Sequence, residues 1–199
     1  MSNFWIETYT HKKFDYLEYI EEDICIEDIA HALSNLSRFT GHTMKFYSVA
    51  QHSILVSDLM VLANIENEDK EETNLIGLYG LLHDASEAYL CDLSTPLKQM
   101  FPKYKTQEKV LQTAIYSKYL RKYDFKWTNF TELLHAKDVG LALIEANILL
   151  NKQLLWPLSY ENSKLNPDEV MYTQCWLVDP LSPKEAEQAF INRFIELQE

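Results

Sequence analysis

The segment 79-YGLLHDASEAYLCDLSTPLK-98 combines a largely apolar run with five side chains that can do chemistry. It contains the adjacent His83 and Asp84, followed by Glu87, Asp92 and Lys98. Imidazole and carboxylate groups are ligands for divalent metals, whereas the same residues on a solvated helix face would have no special role. The segment therefore indicates either a buried helix with incidental polar residues or the floor of a metal site.

Two further polar residues, His52 and Asp138, interrupt apolar helical patterns elsewhere in the chain. Taken singly, His52 can be a hydrogen-bonded helix histidine and Asp138 an exposed carboxylate. An ionised aspartate buried without a partner costs on the order of several kcal/mol, and a metal would partner it. A helical bundle can bring both residues together with His83 and Asp84 in its core. The four residues are thus candidate ligands for one divalent ion, with Mn, Co, Zn or Fe favoured over Mg.

Composition narrows the classes of protein to which the chain can belong. Its 199 residues are 47% hydrophobic with only four glycines, which is typical of one folded domain. A net charge of −12 argues against binding to duplex DNA or to an anionic membrane. Cys25, Cys91 and Cys175 are widely spaced, so neither a disulfide framework nor a zinc finger is indicated. Without a bilayer-spanning run or a signal peptide, a soluble cytoplasmic protein is expected.

Hydrophobic periodicity predicts an all-α fold, a single domain over residues 1–199 with a short N-terminal strand or hairpin near residues 4–10. The predicted helices cover residues 26–37, 47–64, 73–90, 103–121, 129–150 and 182–197. The predicted metal-site core is about 26–150, with a loop or short turn at 91–102 and an irregular segment at 151–181. Capping boxes are expected where Asn129 precedes Glu132 and where Ser182 precedes Glu185.

The order of a histidine, a His-Asp pair and a later aspartate resembles the HD-domain phosphohydrolase superfamily. The strings 38-RFTGH-42, 47-YSVAQHS-53, 81-LLHDASEAYLCDLSTPLK-98 and 136-AKD-138 resemble its YfbR-like branch of 5′-deoxynucleotidases and deoxynucleotide triphosphohydrolases. Flanking strings 26-IEDIAHALS-34 and 182-SPKEAEQAFINRF-194 extend the resemblance over nearly the whole chain. It implies a helical HD-domain bundle that binds one divalent ion and forms a homo-oligomer, either a dimer or a hexamer.

The resemblance also implies a role for five residues around the ion. Glu87 matches a catalytic glutamate that handles a proton, and Asp92 matches an aspartate that accepts a hydrogen bond from the sugar 3′-hydroxyl. Arg38 matches a phosphate-binding arginine, and Lys98 can add a further positive charge. Phe39 stands where the family has a tryptophan that packs on the deoxyribose, so the sugar platform is smaller here; alternatively, Phe39 belongs to the core.

Two more residues differ from the family pattern, and one further histidine has more than one interpretation. Cys91 replaces a glycine and Ser94 a proline of the family pattern, so both differences fall in the loop that carries Asp92. His42 can be a donor in the substrate pocket or a partner of a metal ligand, and a structural role is equally compatible with its position. Between Asp84 and Asp138 the sequence has one histidine, His135, which favours a single ion over a dinuclear centre.

These observations together predict a metal-dependent phosphohydrolase that acts on deoxynucleotides. Its substrate is either a deoxynucleoside monophosphate or a deoxynucleoside triphosphate such as dATP. The main alternative is a non-catalytic nucleotide-binding module that has kept the HD pocket. A purely structural helical protein is the third possibility, and it would bind no metal.

Overall fold

The computed structural model describes residues 3–121, 125–150 and 164–199. The chain begins with an antiparallel hairpin of β1 (Trp5–Glu7) and β2 (Lys13–Asp15), in which Ile6 faces Phe14. This confirms the predicted N-terminal hairpin. Helices make up most of the rest of the described chain, which confirms the all-α fold class.

The helices follow one another with short connections wherever the chain is described. They are α1 (Ile26–Asn35), α2 (Val49–Ala63), α3 (Lys70–Leu81), α4 (Glu87–Leu90), α5 (Thr95–Lys98), α6 (Pro102–Leu120), α7 (Thr131–Leu149), α8 (Pro167–Leu177) and α9 (Pro183–Glu196). Short 3₁₀ turns cover Glu21–Asp23, Arg38–Gly41 and Trp127–Phe130. No helix in these ranges combines the length and the apolarity that crossing a lipid bilayer requires.

Helix α2 lies at the centre of the bundle and packs against α1, α3, α7, α8 and α9. The core that these helices share is apolar, and its fully buried side chains include Ile29, Leu33, Leu55, Leu59, Leu78, Leu81 and Phe190. Gly80 lets α3 approach α2 closely, because a β-carbon there would lie only 3.1 Å from the α-carbon of Ser57. The close contact fixes the end of α3 against the helix that carries His52.

The prediction of one continuous helix over residues 73–90 is wrong. Helix α3 ends at Leu81, and a tight turn over residues 82–86 precedes the short helix α4. In this turn the backbone N–H groups of His83 and Glu87 donate to carbonyls three residues earlier. The Nδ1 atom of the His83 ring also lies 2.8 Å from the Gly80 carbonyl oxygen. The His83 side chain therefore contacts a backbone carbonyl oxygen at the end of the helix, where the last carbonyl groups lack partners within the helix.

The capping predictions had mixed outcomes. Ser182 caps α9, and Glu185 closes the predicted box. The predicted box at Asn129 is wrong, because a 3₁₀ turn covers that residue and α7 begins after it without a side-chain cap.

The prediction of an irregular segment over 151–181 is wrong in its described part. Helix α8 occupies Pro167–Leu177 there, and Asn166 and Glu169 form a capping box at its start. Residues 151–163 of the same prediction lie outside the described ranges. The predicted loop at 91–102 contains the one-turn helix α5.

Candidate metal centre

Three parts of the fold bring the four predicted ligands together. His52 projects from α2, His83 and Asp84 from the turn after α3, and Asp138 from α7. Asp138 Oδ1 lies 3.1 Å from His52 Nε2 and 4.0 Å from His83 Nε2. Asp84 Oδ2 lies 3.2 Å from His83 Nε2 and 4.0 Å from His52 Nε2. Ligand atoms of His52, His83 and Asp138 all lie within 4.8 Å of one another, so this group could hold a metal ion.

Both histidine rings are oriented by a hydrogen bond on the side away from the cluster. His52 Nδ1 lies 2.6 Å from Glu145 Oε1, and His83 Nδ1 lies 2.8 Å from the Gly80 carbonyl oxygen. Holding Nδ1 in this way leaves Nε2 to face the other ligands, as in known metal sites. His83 Nε2 is buried and has no hydrogen-bond partner among the described residues, because its approach to Asp84 lacks hydrogen-bond geometry. A buried nitrogen without a partner fits a site built for an ion.

Glu145 connects the candidate ligands to the rest of the site. It is fully buried on α7, and its Oε1 accepts a hydrogen bond from the hydroxyl of Tyr47 at 2.6 Å and contacts His52. Its Oε2 accepts a hydrogen bond from Arg38 Nε at 3.2 Å. Burial raises the pKa of Glu145, but the charges of His52 and Arg38 outweigh burial and lower it. Glu145 is therefore an ionised carboxylate that orients His52 and Arg38 together.

Charge and burial act in opposite directions on the candidate ligands. Burial raises the pKa of Asp84, but the neighbouring His83 outweighs it and holds that pKa well below its usual range. Burial lowers the pKa of His83, but Asp84 and Asp138 outweigh burial and raise that pKa to about 9. In the metal-free protein, a proton on His83 thus offsets part of the charge of the two carboxylates. A divalent ion would displace that proton when it binds.

Glu87 and Lys98, both predicted from the resemblance, form a second buried group beside the ligands. Lys98 Nζ lies 2.8 Å from Glu87 Oε1 and 2.6 Å from Glu108 Oε1. Glu87 is only 3% exposed, and its Oε2 has no hydrogen-bond partner among the described residues. Burial raises the pKa of Glu87, as do the nearby Asp84 and Asp92, and Lys98 offsets this only in part. Glu87 is thus disposed to carry a proton.

The predicted sugar and phosphate residues are only partly brought to the cluster. Arg38 is mostly buried and lies 3.6 Å from Asp84 Oδ2, with its guanidinium over the ring of Phe39 at 5.7 Å. Phe39 is half-buried, with a left-handed φ of 53°. Asp92 is half-buried. Burial raises its pKa above the usual value, and the nearby Arg38 offsets this only in part. The side chain of His42 is exposed, and within the described residues no hydrogen bond or ion pair joins it to the ligands.

A cavity of about 260 Å³ opens beside the ligands, and it could not be predicted from the spacing of its lining residues. It is lined by His83, Asp84, Ser86, Lys98, Lys105, Glu108, Lys109 and Gln112. Gln112 joins its wall to the turn that carries the ligands, because its amide group donates to the Leu82 carbonyl oxygen and accepts from the Ser86 N–H. Helix α6 therefore forms one side of the candidate site.

The chain matches no model of a known protein family, but its similarity to individual proteins assigns it to a family. YfdR of Escherichia coli K12, described as an uncharacterized protein, is 33% identical over 195 residues, which are 98% of this chain and 96% of that protein. The chain belongs to the YfdR family. An uncharacterized protein of Rhodobacter capsulatus is 39% identical over 100 residues, about half of each chain.

The buried Glu87 of this YfdR-family protein is expected to reduce its stability at high pH. Because the folded-state pKa of Glu87 is raised above its usual 4.5, folding disfavours ionisation, and stability is lost as the pH rises towards the folded-state pKa. Glu87→Gln removes this cost and keeps an oxygen for Lys98. At pH 8 it should raise the melting temperature of the metal-free protein by about 2–5 °C.

Differential scanning calorimetry between pH 5 and pH 9 measures this effect. The difference in melting temperature between Glu87→Gln and the wild type should grow with pH. Glu132→Gln is the matched control, because Glu132 is exposed on α7. A difference that stays constant or shrinks as the pH rises would contradict this account of the YfdR-family site.

Proposed function

We propose that this chain is an HD-domain phosphohydrolase that uses one divalent ion to hydrolyse phosphate esters of deoxynucleotides. One observation carries the proposal: two imidazole Nε2 atoms and two aspartate oxygens from three parts of the fold face one another, with both Nδ1 atoms held by acceptors. The order of these residues along the chain is the order of the HD pattern. The resemblance implies all four ligands. The geometry supports His52, His83 and Asp138 as one group, with Asp84 Oδ2 within 4.0 Å of both Nε2 atoms.

The residues present fit a divalent ion. The ion would be held by His52, His83, Asp84 and Asp138. It would also be a partner for the buried Nε2 of His83, which has no hydrogen-bond partner among the described residues. Mixed nitrogen and oxygen ligands favour Mn, Co, Zn or Fe. When bound, the ion supplies Lewis acidity, which lowers the pKa of water and neutralises charge on a phosphate oxygen.

Side chains next to the ligands would supply the other functions that phosphate-ester hydrolysis needs. Arg38 offers a planar group of donors for phosphate oxygens, and Glu145 holds it in place. Glu87 has a raised pKa, so it can bring a proton to the departing ester oxygen or orient the attacking water. Lys98 fixes Glu87 by a hydrogen bond. The resemblance implies these roles, and a contact or a charge within the site supports each of them.

Recognition of deoxyribose is proposed for Phe39 and Asp92. A sugar packed against the ring of Phe39 would leave a 2′-hydroxyl without water or a partner, which disfavours ribose. The carboxylate of Asp92, near Arg38 and Asp84, can accept from a 3′-hydroxyl. Deoxynucleotides are therefore the proposed substrates.

Product analysis on metal-loaded protein tests the proposal. The protein is loaded with Mn, Co or Zn, offered each dNMP, dNTP and ribonucleotide, and the released phosphate, pyrophosphate and triphosphate are measured. Hydrolysis of deoxynucleotides is expected, and a chelator should abolish it. Glu87→Gln should lower kcat by about 10²–10⁴-fold while the metal content stays unchanged.

The opposite outcome points to a different class of protein. Wild-type protein that holds its full metal complement and binds deoxynucleotides, yet releases no product, would be a nucleotide-binding module and not an enzyme. Protein that binds neither metal nor nucleotide would be a structural helical protein. Lys103→Ala, an exposed change on α6 away from the ligands, controls for non-specific effects of substitution.

A further inference from the structure

The cavity beside the metal ligands has a distinct chemical character. It extends from His83 and Asp84 to α6, and three lysines, Lys98, Lys105 and Lys109, line it. The whole chain has a net charge of −12 and only 18 lysines and arginines. Asp84 and Glu108 line the same cavity, and Glu108 pairs with Lys98, so the positive charge that is left to attract an anion comes from Lys105 and Lys109.

Lys105 and Lys109 differ from Lys98 in their partners. Glu87 and Glu108 both lie within ion-pair distance of Lys98, so its charge is already balanced. In the part of the chain that the structure describes, no carboxylate lies within ion-pair distance of Lys105 or Lys109. These two residues lie four apart on α6, on one face of the helix and about 6 Å apart along its axis. Both are available to an external anion.

The cavity is separate from the predicted sugar-binding residues but continuous with the metal ligands. Arg38, Phe39 and Asp92 do not line it, whereas His83 and Asp84 do. His83 is also the ligand whose buried Nε2 lacks a hydrogen-bond partner. A ligand that reaches this nitrogen can therefore extend into the cavity without using the space beside Phe39.

We propose that the cavity is a subsite for the outer phosphates of the substrate, so that the substrate is a deoxynucleoside triphosphate. This rests on the proposed function. The β- and γ-phosphates would lie against Lys105 and Lys109, while the α-phosphate lies at the ligands. A water oxygen bonds to the α-phosphorus and the bond from that phosphorus to the 5′-oxygen breaks. The two protons of the water end on the 5′-oxygen and on the phosphate chain, so the products are deoxynucleoside and inorganic triphosphate.

Removing the two unpaired lysines tests the subsite. In the double variant Lys105→Ala, Lys109→Ala, the KM for a dNTP should rise about tenfold relative to the KM for the matching dNMP. The matched control is Lys103→Ala, which changes an exposed lysine of the same helix that does not line the cavity. It should leave both constants within about twofold of wild type. An unchanged ratio of the two KM values in the double variant would overturn the proposal, as would a wild type that hydrolyses dNMPs but no dNTP.

Binding of inorganic phosphates tests the subsite without turnover. Calorimetric titration of the same metal-loaded proteins with tripolyphosphate and with orthophosphate should show tripolyphosphate binding about tenfold more weakly to the double variant than to the wild type. Orthophosphate should bind both proteins alike. Equal tripolyphosphate affinities would sink the subsite. If no nucleotide is hydrolysed but this difference is present, the proposed function fails and the phosphate subsite stands.

Discussion

Asp138→Asn is expected to lower metal affinity by at least about a hundredfold and to abolish hydrolysis. The carboxylate is the candidate ligand that α7 contributes, and its Oδ1 lies 3.1 Å from His52 Nε2. Asparagine keeps the shape but loses the negative charge that helps to hold a divalent ion. Because the side chain of Asp138 is 35% exposed, the metal-free fold should survive the change.

Elemental analysis after dialysis, together with calorimetric titration of Mn and Zn, measures the loss. Glu132→Gln is the matched control on the same helix, because Glu132 is exposed and outside the ligand cluster. It should bind one ion with wild-type affinity. Retention of a full equivalent of metal by Asp138→Asn, at unchanged affinity, would show that Asp138 is not a ligand.

Glu145→Ala is expected to destabilise the metal-free protein by about 3–5 kcal/mol, because it leaves a mostly buried arginine without its hydrogen-bonded carboxylate and with only the more distant Asp84 beside it. Arg38 loses its hydrogen bond to Oε2, and the buried hydroxyl of Tyr47 loses its acceptor. His52 also loses the contact that orients its ring. Loss of such a supporting carboxylate typically lowers metal affinity by about 10–100-fold.

Urea unfolding and metal titration of the same variant measure these two losses. Glu145→Gln keeps one oxygen acceptor and should lie between wild type and Glu145→Ala in both. Glu132→Ala removes a glutamate from an exposed position of α7 and should change neither. An unfolding midpoint and a metal affinity like those of wild type in Glu145→Ala would mean that Glu145 does not support the site.

The main helices and the grouping of His52, His83 and Asp138 could be predicted from the sequence. His52 and Asp138 lie in helices that are largely apolar, and a polar residue that is buried in such a helix needs a partner inside the protein. The pattern does not specify the partner.

The break between α3 and α4 could not be predicted, because it depends on contacts outside the local pattern. Apolar residues continue through the turn at helical spacing, so periodicity favours one helix. The close approach of Gly80 to Ser57 and the contact of His83 with the Gly80 carbonyl end the helix instead. The start of helix α8, in contrast, could have been predicted, because Asn166 and Glu169 have the spacing of a capping box.

The contacts that the site residues make with one another were the part of the site that was hardest to predict from the sequence. Glu145 lies seven residues after Asp138, which puts both on one face of α7, and it accepts a hydrogen bond from Arg38. Its contacts with Tyr47 and His52 depend on how α2 packs against α7. The spacing of Lys105 and Lys109 predicts a shared face, but only the packing of α6 decides that this face lines the cavity.

Anomalous diffraction from a crystal of protein loaded with Mn or Co tests the central claim most directly. Data collected on either side of the absorption edge of the metal should give one strong peak per chain. The peak should lie about 2.0–2.2 Å from nitrogen or oxygen atoms of His52, His83, Asp84 and Asp138. The claim is contradicted if no peak appears among these residues, or if an ion binds there without Asp138.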